Sequence, residues 1–377
     1  MPDPSPSHAF GDAYRLAKRR LATKLLGSYS LAPRYIQIQL VYACNLRCWF
    51  CGQWGSRGQS KQLGGNQLGR TLSLGLLKRL VDELPWVSKG IFLYGGEPLL
   101  HPDVIPFIRY ATQKQKHCSM VTNGTFLAKQ AAGLVRSGLK ELAVSLDGTE
   151  ASNDQYRGKG SYQAAIEGIR AIRLERDRLG KSLPKIVTAY TLLPDNAKEL
   201  PALVPRVKEA GADCIYVSRL NFLTRDMGQA HEHALRTLFQ IEALSWQAFY
   251  RTEELGDPRN VKALIEEVKS SPELAGFTIL EEPGSHWTSD DWCRYYRDPA
   301  YVLPSNRSCR FPWDAMCVCP NGDVVTCPDF PDYVAGNLHR QSFSAIWNGE
   351  KMRQFRRSLA KYGRLPICSI CCHLYED

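Results

Sequence analysis

The sequence predicts an α/β protein: a partial, TIM-like (β/α)6 barrel followed by a small C-terminal domain built from a β-hairpin, a helix and cysteines. Two observations carry this. Between residues 35 and 222, six β-branched or aromatic runs alternate with longer helical patterns, the mark of parallel βα units. From Tyr301 onward the texture changes to dense Cys, Pro and aromatic residues around an Asn-Gly hairpin signal. A closed eightfold barrel needs two more strands, so the open six-unit form is the economical reading. The expected organisation is a lead-in over 1–34, the barrel over 35–222, a helical insert over 223–300 and the cysteine domain over 301–377.

In chain order, Pro2 to Ser7 is Pro/Ser-rich and Ala13 to Leu26 reads as a basic helix. Tyr35 to Leu40 is the first strand. It runs into Cys44-x3-Cys48-x2-Cys51, then a polar, glycine-rich loop over Gly55 to Gly69, and Ser73 caps a helix through Glu83. Further strands are expected at Gly90–Tyr94, Ser119–Thr122, Glu141–Leu146, Ile186–Leu192 and Cys214–Val217. The helices between them are expected at Pro102–Gln113, Leu127–Ser137, Tyr162–Leu179 and Ala197–Ala210. The insert reads as helices over about Ala230–Arg251 and Val261–Ser270, then a Trp- and acid-rich loop, His286–Trp292. In the tail, Asn321-Gly322 predicts a type I′ turn, and an amphipathic helix, Phe343–Leu359, leads to Cys368 and Cys371.

Composition limits the function classes. Hydrophobic content of 44% and charged content of 23% are ordinary for a globular chain. No apolar run reaches a membrane span and no signal-peptide core is present, so a cytoplasmic protein without a membrane partner is expected. Thirteen cysteines in that compartment read as metal ligands rather than disulfides. The formal charge of +10 is spread along the chain, which suits solvated helix faces better than a nucleic-acid surface.

Three thiolates bunched after a strand can hold three corners of a cubane iron–sulfur cluster, leaving the fourth iron open. Zinc would ask for a fourth ligand, and a disulfide plus a spare thiol conflicts with an intracellular redox poise. Three further loops fall at successive strand ends: Gly95-Gly96-Glu97-Pro98, Thr122-Asn123-Gly124 and Ser145-Leu146-Asp147-Gly148. Arg157-Gly158-Lys159-Gly160 follows, with Arg157 able to bind a carboxylate through its guanidinium fork. Each is a turn by default, and glycine pairs also admit close backbone approach.

The cysteine spacing, with Phe50 before the last cysteine, and these loops in this order resemble the signature of the radical S-adenosylmethionine (SAM) superfamily. The resemblance implies a [4Fe–4S] cluster on Cys44, Cys48 and Cys51 whose open iron chelates SAM. It also implies an external electron donor of the flavodoxin or ferredoxin type, and a 5′-deoxyadenosyl radical that takes hydrogen from an unactivated C–H. Phe50, Gly95, Gly96, Glu97, Pro98, Asn123, Ser145, Asp147 and Arg157 become the expected SAM-binding residues.

Cys309, Cys327, Cys368 and Cys371 suit zinc or a fully ligated second cluster by spacing. They resemble the SPASM or twitch domains of that superfamily, which implies an auxiliary [4Fe–4S] cluster; the further cysteines of the full SPASM pattern do not follow, so a single cluster on these four, the twitch arrangement, is expected. Cys372 is an alternative to Cys371, and Cys317 and Cys319 are core residues or spare ligands. An auxiliary cluster without an open iron favours accepting an electron, hence a net oxidation; a redox-neutral reaction would use a hydrogen donor such as Cys214. With only 34 residues ahead of the first strand, a small molecule (sugar, aminocyclitol or nucleoside-like) is the first substrate expectation and a ribosomal peptide the second. The insert, with Trp287, Trp292, Asp290 and Asp291, is the expected source of specificity, with core packing the alternative for its aromatics. A zinc-binding adaptor and an RNA-modifying enzyme are the alternatives.

Overall fold

The computed structural model describes residues 27–63, 65–193, 195–251, 258–282, 287–298, 301–302, 309–371 and 374. Six parallel strands appear where expected: β1 (Tyr35–Gln39), β2 (Gly90–Tyr94), β3 (His117–Thr122), β4 (Glu141–Ser145), β5 (Lys185–Leu192) and β6 (Cys214–Arg219). Each pairs with the next in chain order. Alternation along these strands decides their faces. Ile36, Ile38, Ile91, Leu93, Met120, Leu142 and Val144 sink into one core with Leu77, Phe107, Leu134 and Ile169 of the covering helices. Every such side chain taken fully out of water contributes about 1.5–3 kcal/mol.

The sheet does not stop at six strands. It runs β10-β9-β8-β1-β2-β3-β4-β5-β6-β7. β7 (Thr278–Glu282) joins β6 in parallel, within the stretch expected to be helix and loop. Its signal was faint because only Ile279 and Leu280 are apolar and two glutamates close it. At the other end, β8 (Ala315–Val318) pairs in parallel with β1, and β9 (Asp323–Val325) and β10 (Val334–Asn337) follow antiparallel. The cysteine-rich tail therefore continues the sheet that carries the first cysteine loop.

Several local expectations change. The stretch read as a Trp- and acid-rich loop holds a helix, Ser289–Arg297, started by a reciprocal Thr288–Asp291 capping box; His286 lies outside the described residues. The helix expected to reach Arg251 spans Arg225–Phe239 and stops at Gln240, which takes a φ of +58°. The tail helix is two, Phe343–Trp347 and Glu350–Tyr362. The hairpin turn is not type I′, since Asn321 is not among the positive-φ residues. Pro320 sets the first turn position, the Gly322 N–H donates to Cys319 O at 2.9 Å, and Gly322 alone adopts a φ of +83°. That is a type I turn closed by a left-handed residue.

Ser73 caps Leu74–Glu83 as expected, accepting from the Leu76 N–H at 3.2 Å. Residues 28–30 tie the lead-in to the tail: Ser30 Oγ donates to Trp313 O at 2.7 Å and Arg356 donates to Ser28 O. The basic segment before residue 27 lies outside the described residues.

Candidate active site

The first cysteine loop hangs from the C-terminal end of β1, the end at which βα folds place their chemistry. Cys48 is buried and Cys44 and Cys51 are half-buried. Backbone N–H groups point at the sulfurs: Leu46 donates to Cys44 Sγ at 3.4 Å, and Gln53 and Trp54 donate to Cys51 Sγ at 3.3 and 3.4 Å. Such N–H donors stabilise thiolates and cluster sulfur. Burial pushes the Cys48 thiol up to about 12, against the pull of the nearby Arg157 guanidinium. Burial also raises Cys44, opposed by the Leu46 N–H. Iron bound to these sulfurs would have to displace their protons. Among the described residues, no three His, Cys, Asp or Glu side chains converge on one metal ion. A cubane asks for no such convergence, because each thiolate takes a different iron.

The Gly-Gly-Glu-Pro loop after β2 lies directly on this one. Gly96 and Glu97 donate their N–H groups to Val41 O and Ala43 O, both at 2.8 Å. A Cβ on Gly96 would sit 2.1 Å from Ala43 O, and one on Gly95 2.7 Å from Val41 O, where φ is also +158°. The glycines thus allow backbone to cross backbone. Gly96→Ala is expected to push the cysteine loop aside, destabilising the fold by about 1–3 kcal/mol and lowering iron retention, checked by urea unfolding and iron assay.

Glu97 is 1% exposed. It accepts from Thr122 Oγ1 at 2.7 Å, from the Leu99 N–H at 3.0 Å and from the Asn123 N–H at 2.8 Å. Its carboxylate, expected among the SAM-binding residues, is a brace between the second and third loops. Burial pushes its pKa up and the three donors pull it down. Pro98, also buried, opens the short 3-10 turn Pro98–Leu100, where its missing N–H costs nothing.

Asn123 carries the network to the cysteines. Its amide donates to Asn45 Oδ1 at 2.9 Å and lies 3.9 Å from Cys44 Sγ, while Asn45 donates to Thr125 Oγ1 at 3.0 Å. Asn45 and Thr125 were not singled out from sequence, because an Asn beside a cysteine and a Thr after a turn glycine carry no signal on their own.

After β4, Asp147 is fully buried and binds Arg157 at 2.6 Å, Oδ2 to Nε. Its Oδ1 accepts the Thr191 N–H at 2.8 Å, and Asn153 and Asn196 hold its backbone. The Arg157 guanidinium lies 5.5 Å over the Phe50 ring, so this pair borders the cysteine loop. Ser145 ends β4 half-buried, beside Ala189 of β5. The insert closes on the same loop: Arg251 donates to Phe50 O at 2.8 Å, and a Cβ on Gly52 would meet the Phe249 ring at 2.6 Å. Trp287 and Trp292, by contrast, are core at 1% and 0% exposure, and Asp291 caps its helix, so none of these three meets the expectation of a specificity role.

The four tail cysteines, Cys309, Cys327, Cys368 and Cys371, border a common cavity whose other walls are almost wholly apolar, with Phe311, Phe355 and Leu365 among them. Burial raises Cys327 and takes Cys368 up to about 11. Two polar side chains of that lining, His231 and Thr326, are buried with no hydrogen-bond partner for their nitrogen and hydroxyl atoms among the described residues. Four thiols and orphaned polar atoms around an otherwise apolar cavity fit a bound cluster better than a packed core. Arg219 of β6 and the Tyr295 hydroxyl both donate to Ile370 O at 2.8 Å, locking the Cys368–Cys371 segment to the barrel. Cys372 lies outside the described residues. Cys317 and Cys319 pack in a separate core with Ala315 and Val325. Cys214 begins β6, fully buried, roughly 16 Å along the strand from its C-terminal end; a hydrogen donor there is at the wrong end of the barrel.

Residues 38–213 match the model of the radical SAM superfamily, and residues 309–372 match the iron–sulfur cluster-binding SPASM domain. The chain is 31% identical over 351 residues to the AdoMet-dependent heme synthase of Nitratidesulfovibrio vulgaris, covering 89% of this chain and 84% of that one. It is 27% identical over 343 residues to the AdoMet-dependent heme synthase of Methanosarcina barkeri, covering 89% and 88%. The crystal structure of Streptococcus suis SuiB bound to S-adenosylmethionine shares the fold, with a TM-score of 0.63 at 15% identity over 99% of this chain and 79% of that one. The same protein bound to precursor peptide SuiA gives 0.61 at 15% identity, over 98% and 77%. The chain belongs to the radical SAM superfamily and carries a C-terminal SPASM domain, so its cofactors are SAM, the [4Fe–4S] cluster that binds it, and auxiliary iron–sulfur.

Proposed function

We propose that this enzyme oxidises a small molecule that carries acidic groups, taking one hydrogen atom and then one electron from it. When bound, the cofactors supply reductive cleavage of SAM to a 5′-deoxyadenosyl radical and an electron sink in the tail. The electron for cleavage comes from a flavodoxin- or ferredoxin-type donor in the cytoplasm. The substrate then loses an electron and a proton or other cationic leaving group, which balances a two-electron oxidation. Cys44, Cys48 and Cys51 hold the SAM-binding cluster. The backbone of Gly95 and Gly96, with Asn123, Ser145 and the Asp147–Arg157 pair, shapes the SAM site, and Phe50 covers its edge. Cys309, Cys327, Cys368 and Cys371 hold a single auxiliary cluster.

The observation that carries the substrate class is a set of exposed arginines at the cysteine loop. Arg47 lies 4.1 Å over Trp54, while Arg57 and Arg225 lie 4.6 and 5.9 Å over Tyr250, beside the Arg251 that binds the loop backbone. Stacked guanidiniums are held in place yet keep N–H groups for carboxylates or phosphates. The heme synthases among the relatives point the same way, since heme is a carboxylated macrocycle. A peptide substrate is the second reading, favoured by the SuiB complex with precursor peptide.

The test is 5′-deoxyadenosine formation by anaerobically reconstituted enzyme with four additions: an iron-bound tetrapyrrole carboxylate, a nucleoside triphosphate, a neutral aminocyclitol and a linear peptide. Turnover is expected with an anionic small molecule, with KM raised roughly tenfold by Arg57→Ala, as for loss of one charged contact. Turnover with the aminocyclitol or peptide alone would overturn the acidic-substrate reading.

A further inference from the structure

His231 sits on the helix Arg225–Phe239, on the buried stripe Met227, His231 and Leu235. An i, i+4, i+8 stripe is ordinarily apolar throughout, so an imidazole in its centre is out of pattern. Its exposure is 1%, and neither Nδ1 nor Nε2 has a hydrogen-bond partner among the described residues. The ring faces the same cavity as Cys309, Cys327, Cys368 and Cys371, with the Phe330 ring 5.8 Å away. Gly228, one turn earlier, lets the helix lie against Trp246, whose ring a Cβ there would meet at 2.1 Å. That contact seats the helix with His231 turned inward. Thr326, 3% exposed, also presents an unpartnered hydroxyl to the cavity.

A buried donor without a partner is costly, and four thiols beside it say what the partner is. We propose that His231 donates a ring N–H to sulfur of the auxiliary cluster and thereby raises that cluster's reduction potential. The proposal rests on the four-cysteine reading above. A hydrogen bond to cluster sulfur strengthens as negative charge builds on it, so it favours the reduced form. The cluster is then the better acceptor for the electron that leaves the substrate. The Thr326 hydroxyl is the second donor. Because His231 lies in the insert after β6 and not in the tail, the insert that meets the first cysteine loop through Phe249 and Arg251 also tunes the cluster.

The test uses the full-length chain with Cys44, Cys48 and Cys51 replaced by Ala, so that a retained cubane is the auxiliary one. About four irons per chain are expected; an iron-free protein would overturn the four-cysteine assignment and this proposal together. Adding His231→Phe is expected to keep the iron and move the midpoint potential, read by EPR-monitored titration, to lower values. His231→Gln retains an N–H and is expected to recover most of the shift. Full iron with an unchanged potential in the Phe variant would overturn the proposal while leaving the cluster assignment intact. Pulsed EPR on the protein with His231 present covers a Phe variant that does not fold. A weakly coupled imidazole nitrogen with an exchangeable proton is expected. A strongly coupled nitrogen would make His231 an iron ligand, and no coupling would remove the bond; either result overturns the proposal.

Discussion

Cys48→Ala is expected to abolish SAM cleavage and to lower the iron of anaerobically reconstituted protein from about eight to about four per chain. Cys48 is the most buried thiol of the first loop, and its sulfur answers to Arg157, which in turn answers to Asp147. On the proposed assignment, removing it takes away one corner of the cluster and leaves the open iron without a framework. No neighbouring side chain can substitute, because the other two thiols are each directed by their own backbone N–H groups. Cleavage of SAM at the parental rate by this variant would sink the assignment of the first loop. Four irons in the parent protein would remove the auxiliary cluster instead. Since loading displaces the Cys48 proton, iron uptake at this site is expected to weaken as pH falls, which a competition with a chelator across pH would show.

Asp147→Asn is the second large effect. The carboxylate is fully buried and 2.6 Å from Arg157, whose side chain is 10% exposed. Taking the charge from one member leaves a guanidinium buried and unpaired, at a cost of about 3–5 kcal/mol. Urea unfolding should show a lower midpoint with an unchanged slope, and SAM affinity should fall because Arg157 no longer holds its place over Phe50. Asp147→Asn with Arg157→Gln is expected to recover much of the stability but none of the SAM affinity. Strictly additive losses in that cycle would show that the pair is not coupled.

The family of this chain was legible in its sequence because its signature is written in short, local spacings. Cys44-x3-Cys48-x2-Cys51 needs only a loop, and Gly95-Gly96-Glu97-Pro98 and its successors recur at the ends of periodic strands. Glu97 shows the limit of that legibility. Its motif is visible in the sequence, but whether a carboxylate faces a ligand or a neighbouring loop depends on Thr122 and Asn123, which arrive from another strand. The type I turn at Pro320–Gly322 shows a smaller version: Asn-Gly named a hairpin, while the proline before it chose the turn.

By itself, then, the sequence determined the six βα units, the cysteine sets and the order of the loops, since period, spacing and strand-end position are properties of consecutive residues. Only the tertiary structure decided that β8 pairs with β1 and carries the tail's hairpin onto the barrel's own sheet. It alone placed Trp287 and Trp292 in the core, set Cys214 at the far end of its strand, and turned His231 toward the four tail cysteines. Those facts join residues tens to hundreds of positions apart. Pairing between distant strands and the filling of a shared cavity are set by which surfaces meet, and no local pattern encodes that.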